Sequence, residues 1–170
     1  MGVSLPRKDL FDIPEGVIYL DGNSLGVLPK GAAARATQVI EQEWGQQLIR
    51  AWNTAGWMDL PRVVGDRIGQ LIGAPAGSVA TGDTLSIKVY QALAAALKMR
   101  PDRRVILSEN GNFPSDLYMA QGLIGTIDKG YALHTPAPED VASAITEDVA
   151  VVMLTHVDYR SGRMHDMNAI

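Results

Sequence analysis

The chain has 170 residues, of which 46% are hydrophobic, and a formal net charge of -4 at pH 7. This size and composition are typical of one ordinary domain with a buried core. The acidic charge, without any long basic run, offers no electrostatic footprint for nucleic acid. The absence of cysteine excludes disulfides and thiolate metal ligands. No apolar stretch is long enough to span a bilayer and the N-terminus lacks a signal-peptide core, so we expect a cytoplasmic protein without a membrane partner.

The beginning of the chain predicts an irregular arm, a short strand and a polar turn. The arm runs to about Gly16, and Val17–Leu20 has the apolar, β-prone composition of a strand. The turn that follows places Asn23 and Ser24 between two glycines, which let the backbone come close to a ligand. An ordinary turn would have the same composition, and the spacing alone favours that simpler interpretation.

Two amphipathic helices follow the turn. The first is predicted over Pro29–Ile49, with Trp44 on its buried face because apolar residues recur there at spacings of three and four. The second is predicted from about Pro61 to Ile72, with Val64 and Ile68 facing inward.

Two features between and after these helices leave alternatives open. Trp52 lies in a connecting segment, where a large aromatic side chain either covers the core or lines a pocket or interface. Beyond the second helix we predict a brief strand at Ser78–Ala80 and a helix from about Leu85 to Met99. The entry to that helix is rich in hydroxyls, including Ser86. Such an entry suits a phosphate, although the same residue types also serve as helix caps.

The remaining chain alternates strands with helices. Strands are predicted at Arg104–Leu107, Tyr131–His134 and Val149–Leu154, and helices at Pro114–Ile127 and Pro138–Ile145. Alternation of this kind, ending in a near-continuous apolar strand, predicts an α/β fold. Its sheet should be mostly parallel, with helices on both faces.

The loop between the first of these strands and its helix contains an aromatic ring, a rigid proline, a hydroxyl and a carboxylate in succession. These are Phe113, Pro114, Ser115 and Asp116, and they follow a strand where open α/β sheets usually bind ligands. Spacing alone favours a plain helix entry, with Phe113 as a packing staple and Pro114 at the first helical position.

Loops that follow parallel strands gather at one edge of the sheet. The loops containing Asn23, Ser86, Phe113 and Thr155 are therefore predicted to line a single crevice, although they are distant in sequence. Their side chains suit an aromatic phosphate ester. The three histidines have no ligand spacing, so we expect no metal site, and no P-loop or dinucleotide-binding fingerprint occurs.

Five motifs occur in order along the chain. They are Tyr19–Gly26, Trp52–Trp57, Asp83–Ile87, Asn112–Tyr118 and Leu154–Met167. Together they resemble the N-terminal portion of the kynureninase family. Members of that family are pyridoxal-phosphate enzymes with the aspartate-aminotransferase-like fold. They are usually homodimers with the active site at the subunit interface. The resemblance thus implies that this α/β chain is a partial large domain of a fold-type-I pyridoxal-phosphate enzyme.

The resemblance also implies roles for individual residues. Leu85 and Ser86 would hold the cofactor phosphate, and Phe113 would stack on the pyridine ring. Asp116 would influence protonation of the ring or its substituents. The whole cofactor-binding set implied is Leu85, Ser86, Phe113, Pro114, Ser115, Asp116 and Thr155, and the substrate-binding set is Asn23, Ser24 and Trp52.

The implied activity is hydrolysis of kynurenine or 3-hydroxykynurenine to the matching anthranilate and alanine, in tryptophan degradation. The family's Schiff-base lysine lies further along, so we expect it beyond Ile170 and expect no catalytic residue in this chain. The chain would then be a truncated form, inactive alone, with residues 1–50 as an arm, strand and helix and 51–170 as an incomplete cofactor-binding domain. Lys88 departs from the family, which tends to have Asn there.

Two alternatives to this function remain. One is another fold-type-I pyridoxal-phosphate enzyme, such as a desulfurase or an aminotransferase. The other is a non-catalytic fragment that binds a complementary chain.

Overall fold

The computed structural model describes residues 7–170, which divide into two compact units between Thr81 and Gly82. The division after residue 50 predicted from the sequence remains a prediction, because compactness alone does not define where a cofactor-binding domain begins. None of the helices in the described part of the chain is long and apolar enough to cross a bilayer.

The first unit is mainly helical. Two short strands, β1 and β2, pair antiparallel, and a nearly continuous helical run follows them. The elements are β1 (Phe11–Asp12), β2 (Leu28–Pro29), α1 (Ala32–Gln38), a π-helix (Val39–Trp44), α2 (Gly45–Gln47), a 3-10 turn (Leu48–Arg50), α3 (Ala51–Thr54) and α4 (Leu60–Ile72). Both helices predicted for this region are thus confirmed. The first is interrupted at Leu48, whose φ of 51° lies in the left-handed region.

Several sequence predictions for the first unit are wrong. Neither Val17–Leu20 nor Ser78–Ala80 forms a strand, because neither segment has a neighbouring strand to pair with among the described residues. Trp44 is 62% exposed, and Val64 and Ile68 are also exposed in part. Apolar spacing predicts which side chains share a face of a helix, but it does not predict whether another element covers that face.

Backbone contact with α4 explains the path of the segment predicted as a strand. A Cβ atom on Gly65 would lie 2.0 Å from the carbonyl oxygen of Val79, so only glycine allows this approach. Two residues later, the Thr81 amide donates to the carbonyl of Pro61 at 3.0 Å. The segment around Val79 therefore lies against a helix instead of joining a sheet.

The second unit is a three-stranded parallel sheet with two long helices. Its elements are α5 (Leu85–Met99), β3 (Val105–Leu107), α6 (Pro114–Ile127), β4 (Ala132–His134), a 3-10 turn (Pro138–Asp140) and β5 (Val149–Val152). The strand order is β4-β3-β5, and β3 runs parallel to both neighbours. The α/β class and the parallel sheet predicted from the sequence are therefore confirmed. The predicted helices on both faces are not found in the described part of the chain, because α5 and α6 both pack against the face of β3 that carries Ile106.

The two faces of β3 contribute to two different cores. On one face, Ile106 packs with Leu93 and Leu97 of α5 and with Leu123 of α6. Leu93 and Leu97 are thus buried, whereas Leu85, at the start of the same helix, is 67% exposed.

On the other face, Leu107 packs with Val141 and Val149. The helix predicted over Pro138–Ile145 is wrong here, since only the 3-10 turn Pro138–Asp140 forms before irregular turns. Isolated helices this short are marginal, because few hydrogen bonds offset the cost of nucleation.

Candidate functional site

The candidate site lies at the sheet edge where β3 and β5 end. Because the two strands are parallel, the loop starting at Ser108 and the loop containing Thr155 leave the sheet side by side. The Met153 amide donates to the carbonyl of Leu107 at 2.8 Å, and the Ser108 hydroxyl donates to the carbonyl of Met153 at 2.8 Å. The predicted convergence of these two loops is therefore confirmed.

Asn112 joins the two loops. Its Oδ1 accepts from the Thr155 hydroxyl at 2.7 Å and from the Phe113 amide at 2.8 Å, while its Nδ2 donates to the Ser108 hydroxyl at 3.0 Å. The residue is 5% exposed, so these groups lie largely away from water. Asn112 thus holds Thr155 and the start of α6 in a fixed relation, a role that the sequence did not predict for it.

Phe113 offers an aromatic surface at this edge. The ring is 46% exposed and packs edge-on against Tyr159, with 5.1 Å between centroids and 61° between planes. The Arg160 guanidinium lies 5.4 Å from the centroid of the Tyr159 ring. Tyr159 supports Phe113 from the side, a contact also missing from the sequence prediction.

The first turn of α6 buries a carboxyl group. Pro114 occupies the first helical position as predicted. Asp116 is 6% exposed, and its nearest side-chain partner is the Ser115 hydroxyl, which donates at 3.4 Å. Burial raises the pKa of Asp116, partly opposed by this hydrogen bond. A buried carboxyl group without a cationic partner is typical of functional sites.

The start of α5 carries free backbone donors. Thr84 caps the helix, since its hydroxyl accepts from the Ile87 amide at 3.5 Å. The amides of Leu85 and Ser86 have no acceptor within the described chain. Val89, one turn further along, lines the same recess as the residue just before Thr155, so α5 begins near the end of β5.

Lys88 does not extend straight into solvent from this helix. Its terminal atoms fold back over Gly82, where an added Cβ would lie 2.3 Å from Nζ, and Nζ donates to Gln91 at 3.0 Å. The side chain of Lys88 therefore places a positive charge beside the first turn of α5.

The other three predicted site residues belong to the first unit. Asn23 and Ser24 lie in an exposed turn, where the Ser24 hydroxyl donates to Asp21 Oδ1 at 2.7 Å. Trp52, on α3, is 47% exposed and packs edge-on against Trp57 at 6.2 Å between centroids. Their contact with a substrate stays a prediction.

Polar clusters near the edge involve no arrangement suited to a metal ion. Within residues 7–170, no group of three or more His, Asp or Glu side chains is placed to hold one. Asp158 instead accepts from the Ser161 amide at 2.7 Å and from the Arg160 amide at 3.0 Å. These bonds, led by that of the Ser161 amide, lower the pKa of Asp158 to about 2.

The known proteins that resemble this chain in sequence are kynureninases. The chain is 55% identical over 170 residues to a kynureninase of Burkholderia pseudomallei, 54% to one of Burkholderia mallei and 52% to one of Pseudomonas fluorescens. Each match covers 97% of this chain. The resemblance to kynureninases is confirmed. The chain spans 41% of the length of these kynureninases. No protein-family model matches the chain.

Proposed function

We propose that this chain supplies part of the cofactor site of a kynureninase-like, pyridoxal-phosphate-dependent hydrolase. The reaction takes one water and cleaves kynurenine, or its 3-hydroxy form, to anthranilate or 3-hydroxyanthranilate plus alanine. The observation that carries the proposal is the buried Asp116 carboxyl, which has no cationic partner among residues 7–170 and follows the half-exposed Phe113 by three residues at the start of α6. Similarity to kynureninases along 97% of the chain supports the same assignment.

Pyridoxal phosphate fits the groups that this edge leaves without partners. The exposed part of the Phe113 ring suits a flat aromatic ring, and the Asp116 carboxyl suits the polar atoms of that ring. The free amides of Leu85 and Ser86 suit a phosphate, because the positive end of the helix dipole lies there as well. A ligand with a ring at one end and a phosphate at the other would satisfy all three.

Each residue of the proposed cofactor-binding set would then have a defined role. Leu85 and Ser86 bind the phosphate, and Phe113 stacks on the ring. Asp116 holds a proton at its carboxyl group or pairs with a positively charged ring. Thr155, whose hydroxyl is oriented by its bond to Asn112, contacts the cofactor at the same edge of the sheet as Phe113. Pro114 and Ser115 complete the stretch by fixing the start of α6 and donating to Asp116.

When bound, pyridoxal phosphate supplies an electron sink that stabilises negative charge on the substrate carbon. The lysine that anchors it in kynureninases would come from a portion of the enzyme outside this chain, so the chain alone would be inactive. Its coverage of 41% of the related enzymes supports this proposal.

We propose that the substrate contacts three residues of the first unit. The exposed indole of Trp52 offers an apolar surface for the aromatic ring of kynurenine, and Asn23 and Ser24 offer polar atoms in an exposed turn. We propose that the complete enzyme is a homodimer, as the resemblance implies, and that it is cytoplasmic, as expected from the sequence.

A substrate panel tests the proposal. The complete enzyme, loaded with pyridoxal phosphate, is incubated with kynurenine, with 3-hydroxykynurenine, with cysteine plus a thiol reductant, or with aspartate plus a 2-oxo acid as amino acceptor, and anthranilate is followed by its fluorescence. We expect anthranilate and alanine in equal amounts from kynurenine. Sulfide from cysteine, or amino transfer from aspartate, without anthranilate would instead identify a desulfurase or an aminotransferase. Anthranilate formation by the 170-residue chain alone would contradict the proposed inactivity.

A further inference from the structure

A fully buried carboxylate lies behind the candidate site. The side chain of Glu109 is 1% exposed, and Arg163 Nη2 lies 2.9 Å from both of its oxygens. His165 Nε2 lies 2.7 Å from Glu109 Oε2, and its side chain is 5% exposed. We name Glu109, Arg163 and His165 the Glu109 cluster.

The Glu109 cluster joins the same two loops as Asn112 does. Glu109 is the second residue after β3, whereas Arg163 and His165 follow β5. The Glu109 carbonyl accepts from the Asn112 amide at 3.2 Å, and the His165 amide donates to the carbonyl of His156, the neighbour of Thr155, at 2.9 Å. The cluster is therefore bonded at one end to His156, the neighbour of Thr155, and at the other end to Asn112, which precedes Phe113.

Stability alone does not explain such a cluster. Burying charged groups costs desolvation free energy, and apolar residues of similar volume often give equal or greater stability. What an ion pair adds is a directional contact that fixes how two segments meet. Here the segments carry Thr155 and Phe113, which line the same cavity of about 40 Å³ as Glu109 itself.

We propose that the Glu109 cluster consists of positioning residues that set the spacing between the Thr155 hydroxyl and the Phe113 ring at the cofactor site. None of the three belongs to the proposed cofactor-binding set; they act on that set through Asn112 and Thr155. This inference rests on the proposed function, since it assigns Thr155 and Phe113 to pyridoxal phosphate.

The test measures cofactor affinity apart from turnover. Glu109→Gln keeps the shape of the side chain but removes its charge. In the complete enzyme, we expect it to raise the dissociation constant for pyridoxal phosphate about tenfold. Val141→Ala serves as the control, because Val141 is fully buried in the core on the opposite face of β3 from α5 and α6. It should lower the thermal midpoint while leaving the dissociation constant within about twofold.

A double-mutant cycle separates positioning from general destabilisation. Thr155→Val removes the hydroxyl that receives the positioning effect. If Glu109 acts through Thr155, Glu109→Gln changes affinity much less in the Thr155→Val background than in the wild type. If Glu109→Gln fails to fold, the cofactor affinities of His165→Gln and His165→Ala are compared instead. Only Gln keeps a donor for Glu109, so His165→Ala should bind pyridoxal phosphate more weakly than His165→Gln.

The outcomes are distinguishable. Full additivity in the cycle, or unchanged affinity in Glu109→Gln while the wild type binds cofactor and cleaves kynurenine, overturns the inference alone. A wild type that binds no pyridoxal phosphate overturns the proposed function, and the inference with it. Non-additive loss of affinity supports the inference.

Discussion

Asn112→Ala removes the side chain that joins the two loops of the candidate site. The substitution deletes the acceptor for the Phe113 amide and the Thr155 hydroxyl, and the donor to Ser108. Ser108 keeps its own bond to the Met153 carbonyl, and the half-buried Thr155 hydroxyl can turn to water. Most of the cost therefore falls on the Phe113 amide, which loses its acceptor at the start of α6.

The expected cost follows from these losses. A net hydrogen bond contributes about 1 kcal/mol, and a buried donor left without an acceptor costs about 1–3 kcal/mol. The free energy of unfolding should fall by about 2 kcal/mol. With a denaturant slope of about 2 kcal/mol per molar, the urea midpoint should fall by about 1 M.

Urea unfolding of the 170-residue chain, followed by far-UV circular dichroism, measures this change. Asn110→Ala is the matched control, because Asn110 is exposed, lies in the same loop and bonds through its backbone amide to Pro136. It should stay within about 0.5 kcal/mol of the wild type. Equal losses in Asn110→Ala and Asn112→Ala, or no loss in the latter, would refute the reasoning.

Four further substitutions have defined outcomes. Hydrogen bonds to the carboxylate lower the pKa of Asp158 from 3.8 to about 2, so its contribution to stability is present above pH 3.8 and is lost as the pH falls through about 2. In Asp158→Asn, the thermal midpoint should therefore not show this loss of stability as the pH falls from 3.8 to about 2. Burial raises the pKa of Asp116 above 3.8, so the folded chain binds more protons and its stability falls as the pH rises through that folded pKa. Asp116→Asn should therefore be more stable than the wild type at pH 7 in urea unfolding, and equal to it below pH 3.8. Gly65→Ala should destabilise the chain by about 1–3 kcal/mol or more, because its Cβ would overlap the Val79 carbonyl. Gly125→Ala, with no atom within 4 Å of the new Cβ, should instead stabilise α6 by about 0.5–1 kcal/mol in the same assay.

The sequence predicts the second unit well, because its signals are local and repeated. Leucines four residues apart give α5, proline at the first helical position marks the start of α6, and short apolar runs give the strands. Parallel strands then require Phe113 and Thr155 to meet at one edge, as they do. These steps need only periodicity and a topological rule.

The errors arise where the structure depends on partners distant in sequence. Trp44 has the spacing of a buried residue, yet nothing in the described chain covers it fully. Val17–Leu20 has the composition of a strand but no neighbouring strand. Pro138–Ile145 is too short for helix propensity to decide its conformation.

The sequence does not predict the polar network behind the site, because the residues of that network lie far apart in the chain. Glu109 and His165 are 56 residues apart and show no period, so no pattern within a single element predicts their contact. The spacing of the histidines predicts only that His165 is not a metal ligand. His165 also lies within Leu154–Met167, one of the motifs that carry the resemblance to kynureninases, and this is the signal in the sequence that points to a role for it.

Cofactor titration of the complete enzyme tests the central claim most directly. Pyridoxal phosphate is titrated into the wild type, Phe113→Ala and Tyr118→Ala, and binding is followed by the absorbance of the cofactor. Tyr118 is the control, because its ring is exposed on α6 and lies outside the proposed set. The account predicts an affinity about tenfold weaker in Phe113→Ala, from the loss of ring stacking and apolar contact, and no change in Tyr118→Ala. Equal affinity in Phe113→Ala and the wild type would contradict the assignment of this edge to the cofactor.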